Sequence, residues 1–263
     1  MNKAFIKDLV KNKKEHIEFK KAQFKKADAV LNVNFVSPIV NKALSTSSKN
    51  DTESVIKRTI IGNTYNWLDS HGDVHVDGTF GKSIKERGGV NKIWHLHDHE
   101  QKVTAKIGKP LSVKEEIVKW SDLGVDKIGS TTVVMMETNI MKTYNSFMFH
   151  EYKDGNIDQH SVGMYYVKID LAVNDADFKE ENKLWNEHID ILGNKAQAEE
   201  LGYMWIVKEA KLIEISAVLE GSNILTPTIA SKDIEPLQDT QKVEPSKDTQ
   251  NTPSSSKSTT YYY

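Results

Sequence analysis

Alternation of apolar and polar residues governs most of the middle of this chain. Residues 54–62 (SVIKRTIIG) alternate with period two, as a half-buried strand requires. Residues 79–87 read as a short helix that stops at Gly88-Gly89, and residues 90–97 as a strand. Two short strands are predicted at 105–107 and 117–120, and a β-branched run predicts another at 130–136. Residues 139–152 have helical period and are closed by Lys153-Asp154-Gly155-Asn156. A strand is predicted over 161–171, and an amphipathic helix over 178–201 with Leu184, Trp185, His188 and Leu192 on one face. The last strand or strands fall in 203–218. Strands outnumber helices, no βαβ rhythm is present, and no internal repeat is found. The predicted class is α+β, mainly β: a β-barrel or sandwich with helices around it.

Both ends depart from this pattern. Residues 1–50 form a basic N-terminal arm, with lysines crowded over 3–26 and Ile6, Leu9, Val10, Ile17, Phe24 and Leu31 at loosely helical spacing. Two readings stay open: a helix with one face packed on the body, or a binding or targeting arm. Residues 45–52 (STSSKNDT) read as a linker. From residue 226 onward the chain is rich in Ser, Thr, Pro, Lys, Asp and Gln, too poor in large apolar groups to offset chain entropy, and is expected to be a disordered tail. The body then spans residues 51–225, and the 263 residues suffice for one substantial domain with tails.

Composition narrows the chemistry. There is no cysteine, which excludes disulfides, a thiol nucleophile and cysteine-bound metal. A net charge of −2 gives no general attraction to nucleic acid. No apolar run approaches the roughly 18 residues that span a bilayer, and the charged N-terminus lacks the apolar stretch of a signal peptide, so no membrane partner is expected.

Three residue groups stand out. His95, His97 and His99 lie two apart on a predicted strand and would share a face, which is one way to gather a metal site. Ser161 opens an apolar strand just after a turn-rich stretch, with Gly163 permitting close backbone approach, a rigid place for a nucleophile. Glu209 and Glu214 lie in the last strand segment; Glu214 is flanked by apolar residues, and a buried carboxyl group needs a partner such as histidine. A histidine and a serine on neighbouring strands, with an acid, are the parts of a serine hydrolase.

The order of motifs resembles that of the tailed-phage (Caudovirales) prohead maturation proteases. Leu68-Asp69-Ser70-His71-Gly72-Asp73-Val74, then Gly78-Thr79-Phe80 and a short helix, is similar to the family's Asp-x-x-Gly-Asp turn, Gly-Ala-Phe and helix. Ile93-Trp94-His95-Leu96-His97-Asp98 followed by Ile107-Gly108-Lys109 resembles its strand ending in His-Asp and a later Ile-Gly-Lys. Gly155 through Ser161-Val162-Gly163-Met164 resembles Gly-x-x-x-x-x-Ser-Ile-Gly-aromatic, and Glu214-Ile215-Ser216-Ala217-Val218 resembles Glu-Val-Ser-x-Val. Departures are Met164 for an aromatic, Thr79 for alanine, residues 219–223 where the family has Pro-Ala-Asn, and a longer helical insertion over 174–202.

The resemblance covers residues 55–225 and implies a herpesvirus-assemblin-like β-barrel with flanking helices. It implies a serine endopeptidase that trims scaffold and major capsid protein inside the immature procapsid in the host cytoplasm; the composition of the lysine-rich arm and of the tail adds the protein itself as an expected self-cleavage substrate. By position, Ser161 is the implied nucleophile, His97 the general base because it precedes Asp98, and Glu214 the orienting acid. The fold analogy implies a homodimer, and no cofactor or metal is called for. Two alternatives remain: a metal-dependent hydrolase on His95, His97 and His99, and a non-enzymatic capsid assembly or scaffold protein on the same fold.

Overall fold

A computed structural model describes residues 3–26, 53–87 and 92–229. The expected linker at 45–52, and the expected tail from 230 onward, lie outside the described residues. Residues 226–229, also assigned to the tail from sequence, belong to the fold: Thr226 is fully buried and Thr228–Ile229 forms a strand.

The strands are β1 (Val55–Thr64), β2 (Asp73–His75), β3 (Trp94–His97), β4 (Lys106–Lys119), β5 (Ser130–Met141), β6 (His160–Val173), β7 (Tyr203–Ala217) and β8 (Thr228–Ile229). The helices are α1 (Lys3–Lys11), α2 (Lys13–Ala22), α3 (Gly81–Arg87), α4 (Ser146–Asp154), α5 (Lys179–His188) and α6 (Lys195–Leu201). All eight strands of the described residues join one sheet in which β7 is the hub. β6 runs antiparallel along one side of it, while β2 and β3 lie parallel at opposite ends of the other side. The sheet continues from β3 through β4, β5 and β1 to β8.

This sheet is open, and the expected closed barrel is corrected accordingly. Among the described residues β1 and β6 pack together without sharing a ladder. Two other segments meet the free side of β6 instead. Lys25, just past α2, pairs with Met164 as an isolated bridge. Residues 226–228 hydrogen-bond to His160 and Ile157. The main core lies within the curl of the sheet and includes Ile60, Met136, Ile140, Met164, Val207 and Ile215. Ile6 and Leu9 of α1 are buried in the same cluster, so the arm packs an apolar face on the body. It does so as two helices, α1 and α2, separated at Asn12.

Three sequence expectations change at the level of elements. β5 runs to Met141, where a helix was predicted to begin at 139. Met136, Thr138 and Ile140 point inward while Glu137, Asn139 and Met141 face out, so the period stays at two. The helix starts later, at Ser146, where the Asn145 side chain accepts a hydrogen bond from the Met148 N–H and caps it. The predicted short strands at 105–107 and 117–120 are the ends of one strand, β4. Pro110 survives within it because the register shifts between Pro110 and Ser112. The helix predicted over 178–201 is two helices. Between them Asn194 binds both backbone groups of Leu68, donating to its carbonyl and accepting from its N–H at 2.9 Å each.

Candidate active site

The site is built where β3 and β6 flank the end of β7. Cross-strand partners share a face of a sheet. Ser161 pairs with Ser216 and Gly163 with Glu214, so these four positions look out of one face. His160, Val162, Ile215 and Ala217 look inward. On the other side of β7, His95 pairs with Ile215 and His97 with Ala217, which assigns both histidines to the inward face.

His99 takes the opposite course because the chain leaves the strand. Asp98 and His99 adopt left-handed backbone conformations, φ 51° and 54°, and Glu100 N–H closes the turn onto the His97 carbonyl at 3.1 Å. Two such non-glycine residues in succession cost about 1–2 kcal/mol each. The turn folds His99 back over the outward face of β7. There its backbone N–H donates to Ser216 Oγ at 3.2 Å, and its Nδ1 lies 2.6 Å from Glu214 Oε1. The Ser216 hydroxyl donates to Glu214 Oε2 at 2.5 Å, so both carboxyl oxygens are held. Glu214 is fully buried and His99 is 7% exposed. The second ring nitrogen of His99, Nε2, is buried with no hydrogen-bond partner among the described residues.

Of the residues singled out from sequence, the structure places Ser161, Glu214 and His99 on one face, with Ser161 opposite Ser216 and His99 hydrogen-bonded to Glu214. It does not bring His97 to Glu214: the His97 ring contacts the Asp98 carboxylate at 3.1 Å and is partly exposed. Glu209 is a surface group paired with Lys82 and Lys168. The three histidines do not converge on a point. His95 lies in the core, His97 beside Asp98, and His99 on the outward face.

Beneath the site runs a buried polar chain that admits one proton arrangement with both histidines neutral. His160 Nδ1 lies 2.8 Å from the Thr226 carbonyl, which can only accept, so Nδ1 carries the hydrogen. His160 Nε2 then accepts from the Tyr152 hydroxyl at 2.8 Å. The Tyr152 oxygen accepts from His95 Nε2 at 3.0 Å, and His95 Nδ1 accepts from Thr138 at 3.2 Å. Each ring uses one donor and one acceptor, so both histidines are satisfied as neutral groups. Burial is the main cause that drives the His160 pKa down to about 4, and burial followed by the neighbouring His160 drives His95 well below its ordinary value.

A second cluster lies where the arm meets the body. Asp69, His71 and Asp73 place potential ligand atoms within 4.8 Å of one another, the one such group among the described residues. Ammonium groups already fill it: Lys25 Nζ sits 2.5 Å from Asp69 and 2.7 Å from Asp73, and Lys20 Nζ 2.7 Å from Asp73. Burial alone would lower the Lys25 pKa, but the two carboxylates outweigh it and raise it. Burial would raise the Asp73 pKa, and Lys20 and Lys25 reverse this to hold it below the carboxylate range.

No family model, no curated protein and no solved structure matches this chain.

Proposed function

We propose that this protein is a serine endopeptidase of the prohead-maturation type, with Ser161 as nucleophile, His99 as general base and Glu214 as the acid that orients it. The observation that carries this reading is the Glu214–His99 hydrogen bond beside Ser161, with His99 Nε2 left unpartnered. In the reaction, Ser161 Oγ attacks the substrate carbonyl as its proton passes to His99 Nε2. Glu214 holds the Nδ1–H and stabilises the imidazolium that forms. The imidazolium then protonates the leaving amine, and the same base activates water to cleave the ester. In the resting arrangement Nε2 does not reach a described partner; catalytic hydrogen bonds of this kind tighten when substrate binds.

The order of motifs supports scaffold and major capsid protein as substrates and the immature procapsid in the host cytoplasm as the place of action. The same motifs would make His97 the base, through its position before Asp98, whereas the geometry favours His99. The non-enzymatic assembly reading is an outcome of the test. Co-expression with the capsid and scaffold proteins of its virus, with intact masses compared between wild type and Ser161→Ala, is expected to show trimming by wild type alone. Assembled heads with untrimmed proteins in both cases would replace the peptidase with the assembly protein.

Gly163 supplies a more local prediction. A Cβ at this position would overlap the Glu214 carboxylate and the Phe24 ring, both of which stand over it. Gly163→Ala is therefore expected to displace Glu214 from His99 and lower hydrolysis by about 100-fold, the scale of an ångström of misplacement. Steady-state kinetics on a peptide bearing the mapped cleavage site would check it, and unchanged kcat would remove Glu214 from the machinery.

A further inference from the structure

We propose that the free edge of β6 is a peptide-binding groove with a lysine-selective subsite formed by Asp69, Asp73 and Tyr166, and that the protein's own Phe24–Lys25–Lys26 strand fills it. The inference rests on the peptidase reading for its meaning, since the groove would then be the substrate groove.

The groove is defined by backbone bonds. Lys25 N–H donates to the Met164 carbonyl at 2.9 Å, and Met164 N–H donates to the Lys25 carbonyl at 3.3 Å. This is one rung of an antiparallel ladder on the side of β6 away from β7, the way an extended peptide adds to a sheet edge. Only this edge of β6 is available, because β7 occupies the other along its whole length. Chain direction matters as well. A strand pairing antiparallel at Met164 heads toward Ser161, three residues back along β6, or roughly 10 Å at the ordinary rise of a strand. A lysine seated like Lys25 therefore lies about three residues before the bond presented to Ser161.

The subsite is built before any ligand is considered. Asp69 Oδ1 accepts from the His71 and Asp73 backbone N–H groups at 2.9 Å each, which leaves Oδ2 directed at Lys25 Nζ. Asp73 is held by Lys20 and by the Tyr166 hydroxyl. The Tyr166 ring lies 5.9 Å from the ammonium, within cation–π range. Two oriented carboxylates and an aromatic wall fit a primary ammonium on a long stem, and Lys25 is buried in this way. Phe24 completes the seal: its ring packs on Tyr165 and stands over Gly163 beside Glu214. The docked segment thus covers the orienting acid, so in the peptidase reading the arm acts as an internal inhibitor that a substrate must displace.

The test uses the full chain with Ser161→Ala, so that binding is read without cleavage. Because the chain has no cysteine, Ala22→Cys at an exposed position allows one environment-sensitive dye on the arm. A peptide copying residues 22–30 (AQFKKADAV) is titrated to millimolar concentration, against the same peptide with Lys25→Met. Millimolar levels are needed because the tethered strand competes at a comparable effective concentration. The lysine peptide is expected to displace the arm saturably, at a half-point at least 10-fold below that of its methionine counterpart, and Asp69→Asn is expected to erase the difference. Equal half-points for the two peptides, or no displacement by either, would overturn the proposal. As a second variant, Lys25→Met in the full chain is expected to lower the concentration of lysine peptide required at least 10-fold; should it fail to fold, the titration on the wild-type arm still decides. Displacement by the lysine peptide in a protein whose wild type hydrolyses nothing would keep the groove and discard the peptidase.

Discussion

His99→Ala is expected to lower peptide hydrolysis by about 10⁴-fold or more, while His97→Ala changes it by less than about 10-fold. The scale is that of removing the base from a nucleophile–base–acid unit whose members act together. The two residues are separated by one position, yet the turn at Asp98 and His99 sends them to different faces of the sheet. Of the two histidines, it is His99 that hydrogen-bonds Glu214. The measurement is kcat/KM on a peptide carrying the mapped cleavage site, with Ser161→Ala as the zero. His99→Ala should affect kcat far more than KM, because the base acts in the transition state. Loss on His97→Ala with activity retained in His99→Ala would reinstate the residue that the His-Asp motif points to.

Acid is expected to destabilise the fold well above the range where carboxylates titrate. His75, His95 and His160 are fully buried, and burial is the leading cause in each case: His75 is held down to about 3, His160 to about 4, and His95 well below its ordinary value. Unfolded histidine titrates near 6.5, so below that pH the unfolded chain binds protons that the native chain refuses. The stabilisation is thus complete above about pH 6.5 and is lost progressively as pH falls toward 4. At pH 5 His75 and His160 each forfeit about 2 kcal/mol, and His95 acts in the same direction, against a typical total of about 5–15 kcal/mol. Urea unfolding at pH 7.5 and pH 5.0 should therefore differ by about 4 kcal/mol or more. A flat stability between these values would mean that these rings take up a second proton in the native state as readily as in the unfolded chain, contrary to their burial.

Part of the candidate site is legible in the sequence, and where sequence and structure differ the causes are physical. Ser161 and Glu214 were marked by a glycine two residues on and by apolar flanks, and the structure places them on one face around Ser216. The sequence marks His99 only as part of a metal cluster, because residues two apart on a strand share a face. The strand stops at His97, and no glycine announces the turn; Asp and His are among the few other residues that accept a left-handed backbone. The open sheet could not be read from alternation, which reports which face is buried and says nothing of whether the last edge finds a partner. The role of Lys25 was hidden in the same way: in a run of surface lysines, nothing local distinguishes the one whose ammonium meets two aspartates more than forty positions away.

The pairing of Thr59 with Ile229 has a consequence for synthesis. One edge of the first strand, which pairs with β5 on the other, waits for the last, and the outward face waits for β7, which supplies Glu214 and Ser216 between strands made earlier. Contacts of this separation are slow to form and cannot be completed on a partial chain. A chain interrupted before β7 would hold Ser161 and His99 without the strand that brings them together. In the proposed peptidase, competence is consequently a late event, acquired only after residue 229 has been made and released to pair.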